Sequence, residues 1–197
     1  MKPILFNTEM VRAIIDGRKT VTRRLVKPQD LRVLDSPYHR KHPEVSDKVL
    51  LERLCEPPYL PGDILYVRET WAAWSKTWGT LPEIHYKADA EILSGVKWRP
   101  SIHMPYEAAR LFLRVKSVKV ERLQDIDEDG AKAEGSNWRN GKNVGWEEKM
   151  QRTTVERFAE IWDGIIKKSD LPIYGWDADP WVWVTEFERI SREEAVE

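Results

Sequence analysis

Apolar residues recur at three- and four-residue intervals in two segments, which is the spacing of a helix with one buried face. In the first segment these residues are Met10, Val11, Ile14 and Ile15. Asn7 or Thr8 can cap this helix, and Gly17 can end it. The second segment, 155–166, follows Thr153 or Thr154, either of which is a suitable cap. We therefore predict two amphipathic helices.

Short apolar runs predict strands at 3–6, 64–67, 84–86 and 181–187, and a basic segment, 19–25, leads into another. The run 110–122 changes phase. Its alternating apolar residues are Leu111, Leu113 and Val115, and then Val118 and Val120 in the opposite phase. A strand that changes face without stopping needs a bulge or a sharp bend, as at the corner of a small barrel. We predict an α+β fold built round a small β-barrel with peripheral helices.

Three stretches without sustained periodicity, 27–60, 72–105 and 136–150, are predicted to be long loop insertions. The first contains five prolines, although its leucines allow a short helix near residue 50. The charged tail from Ser191 is expected to fray. Because there is no internal repeat and no second core, we predict a single domain spanning 1–197.

Composition places the chain among ordinary globular proteins, with 41% hydrophobic and 33% charged residues among 197. The single cysteine, Cys55, excludes an internal disulfide and fits a reducing compartment. No signal peptide and no membrane-spanning apolar run are apparent, so we expect a cytoplasmic protein. The net charge of −1 excludes a uniformly basic nucleic-acid clamp, so any contact with RNA must use a local patch.

Tryptophan is unusually frequent, with ten residues. Four of them, Trp74, Trp78, Trp138 and Trp146, lie in polar sequence typical of loops. Exposed aromatic rings beside basic residues can stack on bases. The alternative is that these rings pack the loops onto the barrel.

The segment 17–24 holds four cations and two hydroxyl groups within eight residues. Its cations could bind phosphate or an oxyanion, and its Lys19 could act as a base beside a threonine nucleophile. The alternative is a solvated basic turn. Glu134 is predicted to end a helix that Asp127 begins and Gly135 closes, where its carboxylate opposes the helix dipole and gains proton affinity.

A third group, Arg68, Glu69 and Trp71, follows a buried strand and is either part of a site or only a strand end. The four histidines and Cys55 lack the spacing of metal ligands, and no glycine-rich phosphate loop occurs. We therefore predict no metal and no cofactor.

Together these features resemble ASCH-domain proteins, a branch of the PUA-like barrel superfamily. The segments that carry the resemblance are 17–24, 61–71, 109–135 and 179–184, about half of the chain. The chain is most similar to the longer, Trp-rich ASCH proteins of phages and prophages. The resemblance implies a partner such as single-stranded RNA or a modified nucleoside.

One bacterial branch of ASCH proteins hydrolyses the acetyl amide of N4-acetylcytidine with a lysine, a threonine and a glutamate. These residues match Lys19, Thr22 and Glu134. The resemblance therefore implies a candidate amidohydrolase in which Lys19 activates Thr22 or a water and Glu134 orients Lys19 or passes on a proton. The predicted substrate-binding residues are Arg24, Tyr66, Arg68, Glu69 and Trp71.

The small hydrolases have about half this length and lack counterparts of the three insertions. Two further hypotheses therefore stay open. One is a binding module for RNA or a modified base, with or without ribonuclease activity. The other is a phage-encoded protein that binds another protein.

Overall fold

A computed structural model describes residues 1–74, 83–89, 95–136 and 153–196. The fold is a mixed α+β arrangement, as predicted. The strands are β1 (Lys2–Leu5), β2 (Val21–Leu25), β3 (Ile64–Arg68), β4 (Trp71–Trp74), β5 (Glu83–Tyr86), β6 (Phe112–Arg122) and β7 (Trp181–Ile190). The helices are α1 (Thr8–Ile15), α2 (Pro28–Leu31), α3 (Pro37–Lys41), α4 (Asp47–Leu54), α5 (Glu128–Ala133), α6 (Thr154–Ile165), α7 (Leu171–Tyr174) and α8 (Arg192–Val196).

Five strands form the main sheet in the order β1-β3-β6-β7-β2. The β1–β3 pair is parallel and the other three pairs are antiparallel. β4 and β5 form a separate two-stranded sheet. Within the described part of the chain no backbone ladder joins the edge strands β1 and β2, so a closed barrel is not seen at the level of strand pairing.

The predicted change of phase in the long central strand is confirmed as a bulge. Val115 pairs with Phe187, whereas Ser117 pairs with Glu186, so the register shifts by one residue. The apolar side chains on either side of the shift therefore pack in the interior although their phases differ. Val115 is 2% exposed and Val120 is fully buried.

Helices cover both faces of the sheet. On one face, Val11 and Ile14 of α1 pack against a cluster that includes Leu65, Leu113 and Phe187. On the other face, two aromatic residues of α6, Phe158 and Trp162, pack with Val182 and Val184 of β7. Because β7 takes part in both clusters, its alternating residues connect the two halves of the core.

The predicted helix ends are confirmed in detail. Asn7 caps α1 through a 2.9 Å hydrogen bond from the Met10 backbone N–H, and Gly17 follows the helix with φ of 70°. Thr153 caps α6 and forms a capping box with Glu156. Local residues therefore mark where both helices begin and where α1 ends.

Two predictions about irregular segments were wrong. The short helix allowed near residue 50 is present as α4, whose Leu51 is buried against Val120 and Trp183, but the segment 27–60 also contains α2 and α3 and so is not a loop. The tail from Ser191 is not frayed. It forms α8, which Ser191 caps and whose Ala195 is buried in an apolar cluster.

The tryptophans predicted to stack on bases lie outside the described residues: nothing is described of Trp78, Trp138 and Trp146, or of the side chain of Trp74. No helix in the described segments is long and apolar enough to cross a membrane.

Candidate functional site

Two helix ends lie side by side at the centre of the site. After Gly17 the backbone N–H groups of Arg18 and Lys19 both donate to the Ala13 carbonyl, at 2.8 and 2.9 Å, which turns the chain from α1 toward β2. The α5 helix ends at Glu134, and Lys19 and Glu134 form an isolated antiparallel bridge. The sequence separates these two residues by 115 positions, but the backbone holds them together.

Gly135 makes this close approach possible. It has φ of 82°, a conformation that side chains rarely adopt. A Cβ atom at this position would lie 2.9 Å from Ala13 Cβ and 3.1 Å from Lys19 Cβ. Glycine is therefore required where the end of α5 meets the end of α1.

The Lys19 side chain is completely surrounded by protein. Its Nζ lies 2.5 Å from Glu134 Oε2 and also donates to the Val21 carbonyl at 2.8 Å and the Glu134 carbonyl at 2.9 Å. The whole residue is only 2% exposed. Burial lowers the pKa of Lys19 and outweighs the opposing influence of Glu134.

Glu134 also holds a second buried cation. Its Oε1 accepts a 3.2 Å hydrogen bond from Arg23 Nη1, and Arg23 in turn donates to Glu121 Oε1 at 2.7 and 3.1 Å. Lys19 lies 5.6 Å from the ring centroid of Phe6, whereas Arg23 lies 5.8 Å from that of Phe158 on the other face of the sheet. The Glu134 carboxylate thus contacts one cation on each face of the sheet, Lys19 and Arg23.

These buried charges balance one another. Two cations, Lys19 and Arg23, lie with two carboxylates, Glu134 and Glu121. Burial acts to raise the pKa of Glu121, but hydrogen bonds from Lys119 and Arg23 outweigh it and the pKa is lowered. A buried ion network of this kind is tolerated because each charge has a partner, so removal of one member leaves another uncompensated.

Thr22 and Arg24 lie next to this network. Thr22 is 1% exposed, and its Oγ1 accepts a 3.0 Å hydrogen bond from Arg24 Nη1. The Arg24 guanidinium also donates to the carbonyls of Arg23 and Leu5, both at 3.1 Å, and lies 5.4 Å from the Phe6 ring centroid. Lys19 and Arg24 therefore share one aromatic ring.

Arg24 has an unusual set of partners for an arginine. Among the described residues its hydrogen bonds all go to uncharged oxygens, and none goes to a carboxylate. Burial lowers the pKa of Arg24. A guanidinium without a carboxylate partner is suited to bind an oxyanion or a phosphate.

Glu69 belongs to a second, separate ion cluster. Arg110 donates to both of its carboxylate oxygens, at 2.9 and 3.0 Å, and also pairs with Asp89. The guanidinium stacks 3.8 Å from the ring centroid of Tyr86. Burial raises the pKa of Glu69. The carboxylate predicted to bind substrate is thus already occupied by an internal arginine.

The remaining predicted contacts lie in an apolar cluster on the side of β3 away from Phe6. Tyr66 packs edge-on against Tyr106, with ring centroids 5.1 Å apart. Trp71 is 6% exposed, and Arg99 lies 5.1 Å from its ring centroid. Arg68 donates to the Ile102 carbonyl. Within the described segments, the buried N–H groups of Arg68 (Nε) and Trp71 (Nε1) have no hydrogen-bond partner.

The structure therefore divides the predicted site residues into two groups. Lys19, Thr22, Arg24 and Glu134 lie together, whereas Tyr66, Glu69 and Trp71 belong to other clusters. The Arg68 side chain lies with the second group, because it donates to the Ile102 carbonyl.

Sequence reasoning missed Arg23 and Glu121 as members of the site. A signal for Arg23 was present, because strand alternation places it on the same face as Val21 and Leu25. An arginine between two apolar positions requires a buried carboxylate partner. Nothing local in the sequence indicates that this partner is Glu121, which lies 98 positions away.

No family model matches the chain, and no curated protein matches it. The solved structures similar to it include the following two. One is a protein of the DUF984 family from Enterococcus faecalis V583, which is 13% identical. The matched region covers 94% of this chain and 71% of that protein, with a TM-score of 0.39. The other is the ASCH domain from Lactobacillus crispatus JV V101, which is also 13% identical. The matched region covers 91% of this chain and 69% of that domain, with a TM-score of 0.34. An ASCH domain is thus among the solved structures to which this chain is similar.

Proposed function

We propose that the protein hydrolyses the amide of an acylated nucleoside such as N4-acetylcytidine, and that Lys19, Thr22 and Glu134 carry the reaction. The observation that supports this most directly is the buried 2.5 Å contact between Lys19 Nζ and Glu134 Oε2. A lysine removed from water loses its proton more readily than one in solvent, and this is what a general base requires.

Lys19 is the base in this mechanism. Burial lowers its pKa, so its neutral amine is more accessible than that of a lysine in solvent. The neutral amine can then take a proton from a hydroxyl group. Glu134 keeps the amine in place through their 2.5 Å contact.

Thr22 is the nucleophile. Arg24 donates to Thr22 Oγ1, so the hydroxyl proton remains available for Lys19 while the positive charge favours a developing alkoxide. The Thr22 oxygen forms a bond to the acetyl carbon, and Arg24 stabilises the oxyanion. The C–N bond then breaks, and the amine of cytidine takes the proton that Lys19 removed from Thr22. Lys19, neutral again, takes a proton from a water whose oxygen attacks the acetyl carbon, and acetate leaves as Thr22 regains its proton from Lys19.

The proposal includes a fold of the PUA-like barrel type for a single domain spanning 1–197. The Arg24 side chain on edge strand β2 reaches the Leu5 carbonyl on edge strand β1, at 3.1 Å. A side chain can thus close the gap between strands that no backbone ladder joins. The bulge at Val115 and Ser117 supplies the bend that such a sheet needs.

The alternative function is binding of RNA or a modified base, with or without ribonuclease activity. One observation favours it: Lys19 Nζ has three acceptors for its three protons, which is also the geometry of a structural ion pair. In that case Lys19 and Glu134 would only hold the two helix ends together, and Arg24 would contact a phosphate.

Mass spectrometry of the protein mixed with N4-acetylcytidine tests the mechanism. We expect a transient acetyl group on the peptide that contains Thr22, together with released cytidine in the supernatant. Turnover without acetylation, in wild type and in a Thr22→Val variant alike, would contradict Thr22 as the nucleophile. Neither turnover nor acetylation by the folded protein would favour the binding alternative.

A further inference from the structure

Thr185 lies directly opposite Thr22 in the antiparallel pair of β2 and β7. Direct cross-strand partners project to the same face of a sheet, with Cβ atoms about 5 Å apart. Thr185 is fully buried, and among the described residues its Oγ1 has no hydrogen-bond partner. The proposed nucleophile therefore has a second, unengaged hydroxyl group as its neighbour.

The described residues that pack around Thr185 offer no partner for its hydroxyl group. Its partner on β6 is Val118, and the next residue of β7 on the same face is the buried Phe187. A valine would have the same shape as this threonine and would bury no unpaired polar atom. As a purely structural residue, Thr185 is thus a worse choice than valine.

We propose that the Thr185 hydroxyl accepts a hydrogen bond from the amide N–H of the substrate whose acyl carbon Thr22 attacks. This inference rests on the proposed function and specifies the substrate further. Arg24 can only donate, so it takes the acyl oxygen, whereas a hydroxyl group can accept. The substrate class is therefore a secondary amide, and Thr185 favours it over acyl compounds without an N–H.

The test compares two substrates in three proteins. The substrates are N4-acetylcytidine and N4-acetyl-N4-methylcytidine, which lacks the N–H. The proteins are wild type, Thr185→Val, which loses the hydroxyl but keeps the shape, and Thr185→Ser, which keeps the hydroxyl. We expect Thr185→Val to lower kcat/KM for N4-acetylcytidine about tenfold and to leave the methylated analogue unaffected. Thr185→Ser is expected to retain the preference for the N–H compound.

Thermal unfolding distinguishes a substrate contact from a structural role, because a structural role predicts a lower Tm for Thr185→Val and a substrate contact predicts a higher one. We expect Thr185→Val to raise Tm by roughly 2–4 °C, because an unpaired buried hydroxyl is removed. Thr185→Ser is expected to lower Tm, because a buried methyl group is lost. A gain in stability together with a loss of activity is the pattern of a substrate contact.

The inference and the proposed function fail separately. If wild type hydrolyses N4-acetylcytidine and Thr185→Val keeps the same kcat/KM and the same preference, the role of Thr185 is overturned and the hydrolase stands. A Thr185→Val variant with lowered Tm would also overturn it, since the hydroxyl would then have a structural partner. A wild type that neither hydrolyses nor binds N4-acetylcytidine, the latter measured by calorimetry, would overturn both.

Discussion

Glu134 is the residue on which both buried cations of the site depend. Its two carboxylate oxygens lie 2.5 Å from Lys19 Nζ and 3.2 Å from Arg23 Nη1. Substitution of Glu134 therefore affects both the reaction and the stability of the folded site. At the scale of the residue, stability and chemistry therefore have to be measured on the same variants.

Glu134→Gln removes the charge and preserves the shape. We expect it to lower the free energy of unfolding by about 3–5 kcal/mol, because Lys19 and Arg23 lose their shared counter-charge. Urea denaturation measures the change. The matched control is Glu52→Gln on the exposed side of α4, with an expected change below about 0.5 kcal/mol. Equal effects of the two substitutions would contradict the buried network.

The pH dependence of activity follows from Lys19. Its pKa is lowered from the ordinary value of 10.5 by burial, and the neutral amine is the active form. We therefore expect kcat/KM to rise with pH as Lys19 loses its proton, at a pH below 10.5, and then to become constant. The unfolded chain holds this proton to higher pH than the folded chain, so the contribution of Lys19 to stability also rises with pH toward 10.5. Activity that falls across this range would contradict Lys19 as the base.

The sequence could indicate the members of the cluster but not their geometry. Lys19 and Thr22 stand out because cations and hydroxyl groups are crowded into one short segment. The hydrogen bond from Arg23 to Glu134 depends on how β2 faces α5. Contacts between segments about 100 residues apart leave no local trace in the sequence.

At the scale of the element, the turn after α5 brings Glu134 against Lys19. We expect Gly135→Ala to destabilise the protein by about 2 kcal/mol or more, because its φ of 82° and the 2.9 Å approach to Ala13 Cβ both exclude a side chain. The control is Gly164→Ala in α6, where a Cβ would meet nothing within 4 Å and a gain of up to about 1 kcal/mol is expected.

Thermal or urea unfolding of these two variants gives opposite signs if the account is right. A Gly135→Ala variant as stable as wild type would mean that the end of α5 can move away from Lys19. In that case the Lys19–Glu134 contact would not be a fixed feature of the fold.

The elements that could be predicted are those with local signals. The cap at Asn7, the end at Gly17 and the bulge in β6 follow from neighbouring residues. The leucines near residue 50 indicated α4, but α2, α3 and the final helix α8 were not predicted, and the packing of α4 and α8 against distant strands could not be. Leu51 packs on Val120 and Trp183, and Ala195 packs in a cluster with Phe112.

At the scale of the whole molecule, the net charge of −1 limits what the protein can bind. Affinity for a nucleic-acid chain comes largely from phosphate contacts and counterion release. We expect no saturable binding of a single-stranded RNA oligonucleotide at micromolar protein and about 0.15 M salt, measured by fluorescence anisotropy. Tight binding with a steep salt dependence would instead favour the RNA-binding alternative over a free nucleoside.

The central claim is that Lys19, Thr22 and Glu134 act together on an acyl amide. The most direct measurement is the release of cytidine from N4-acetylcytidine by wild type and by Lys19→Met, Thr22→Val and Glu134→Gln, each checked for folding by circular dichroism. Thr20→Val, which removes an exposed hydroxyl two residues from Thr22, is the control. We predict turnover by wild type and by the control, and its loss in all three site variants. Turnover that persists in folded Lys19→Met, or its absence from folded wild type, would contradict the account.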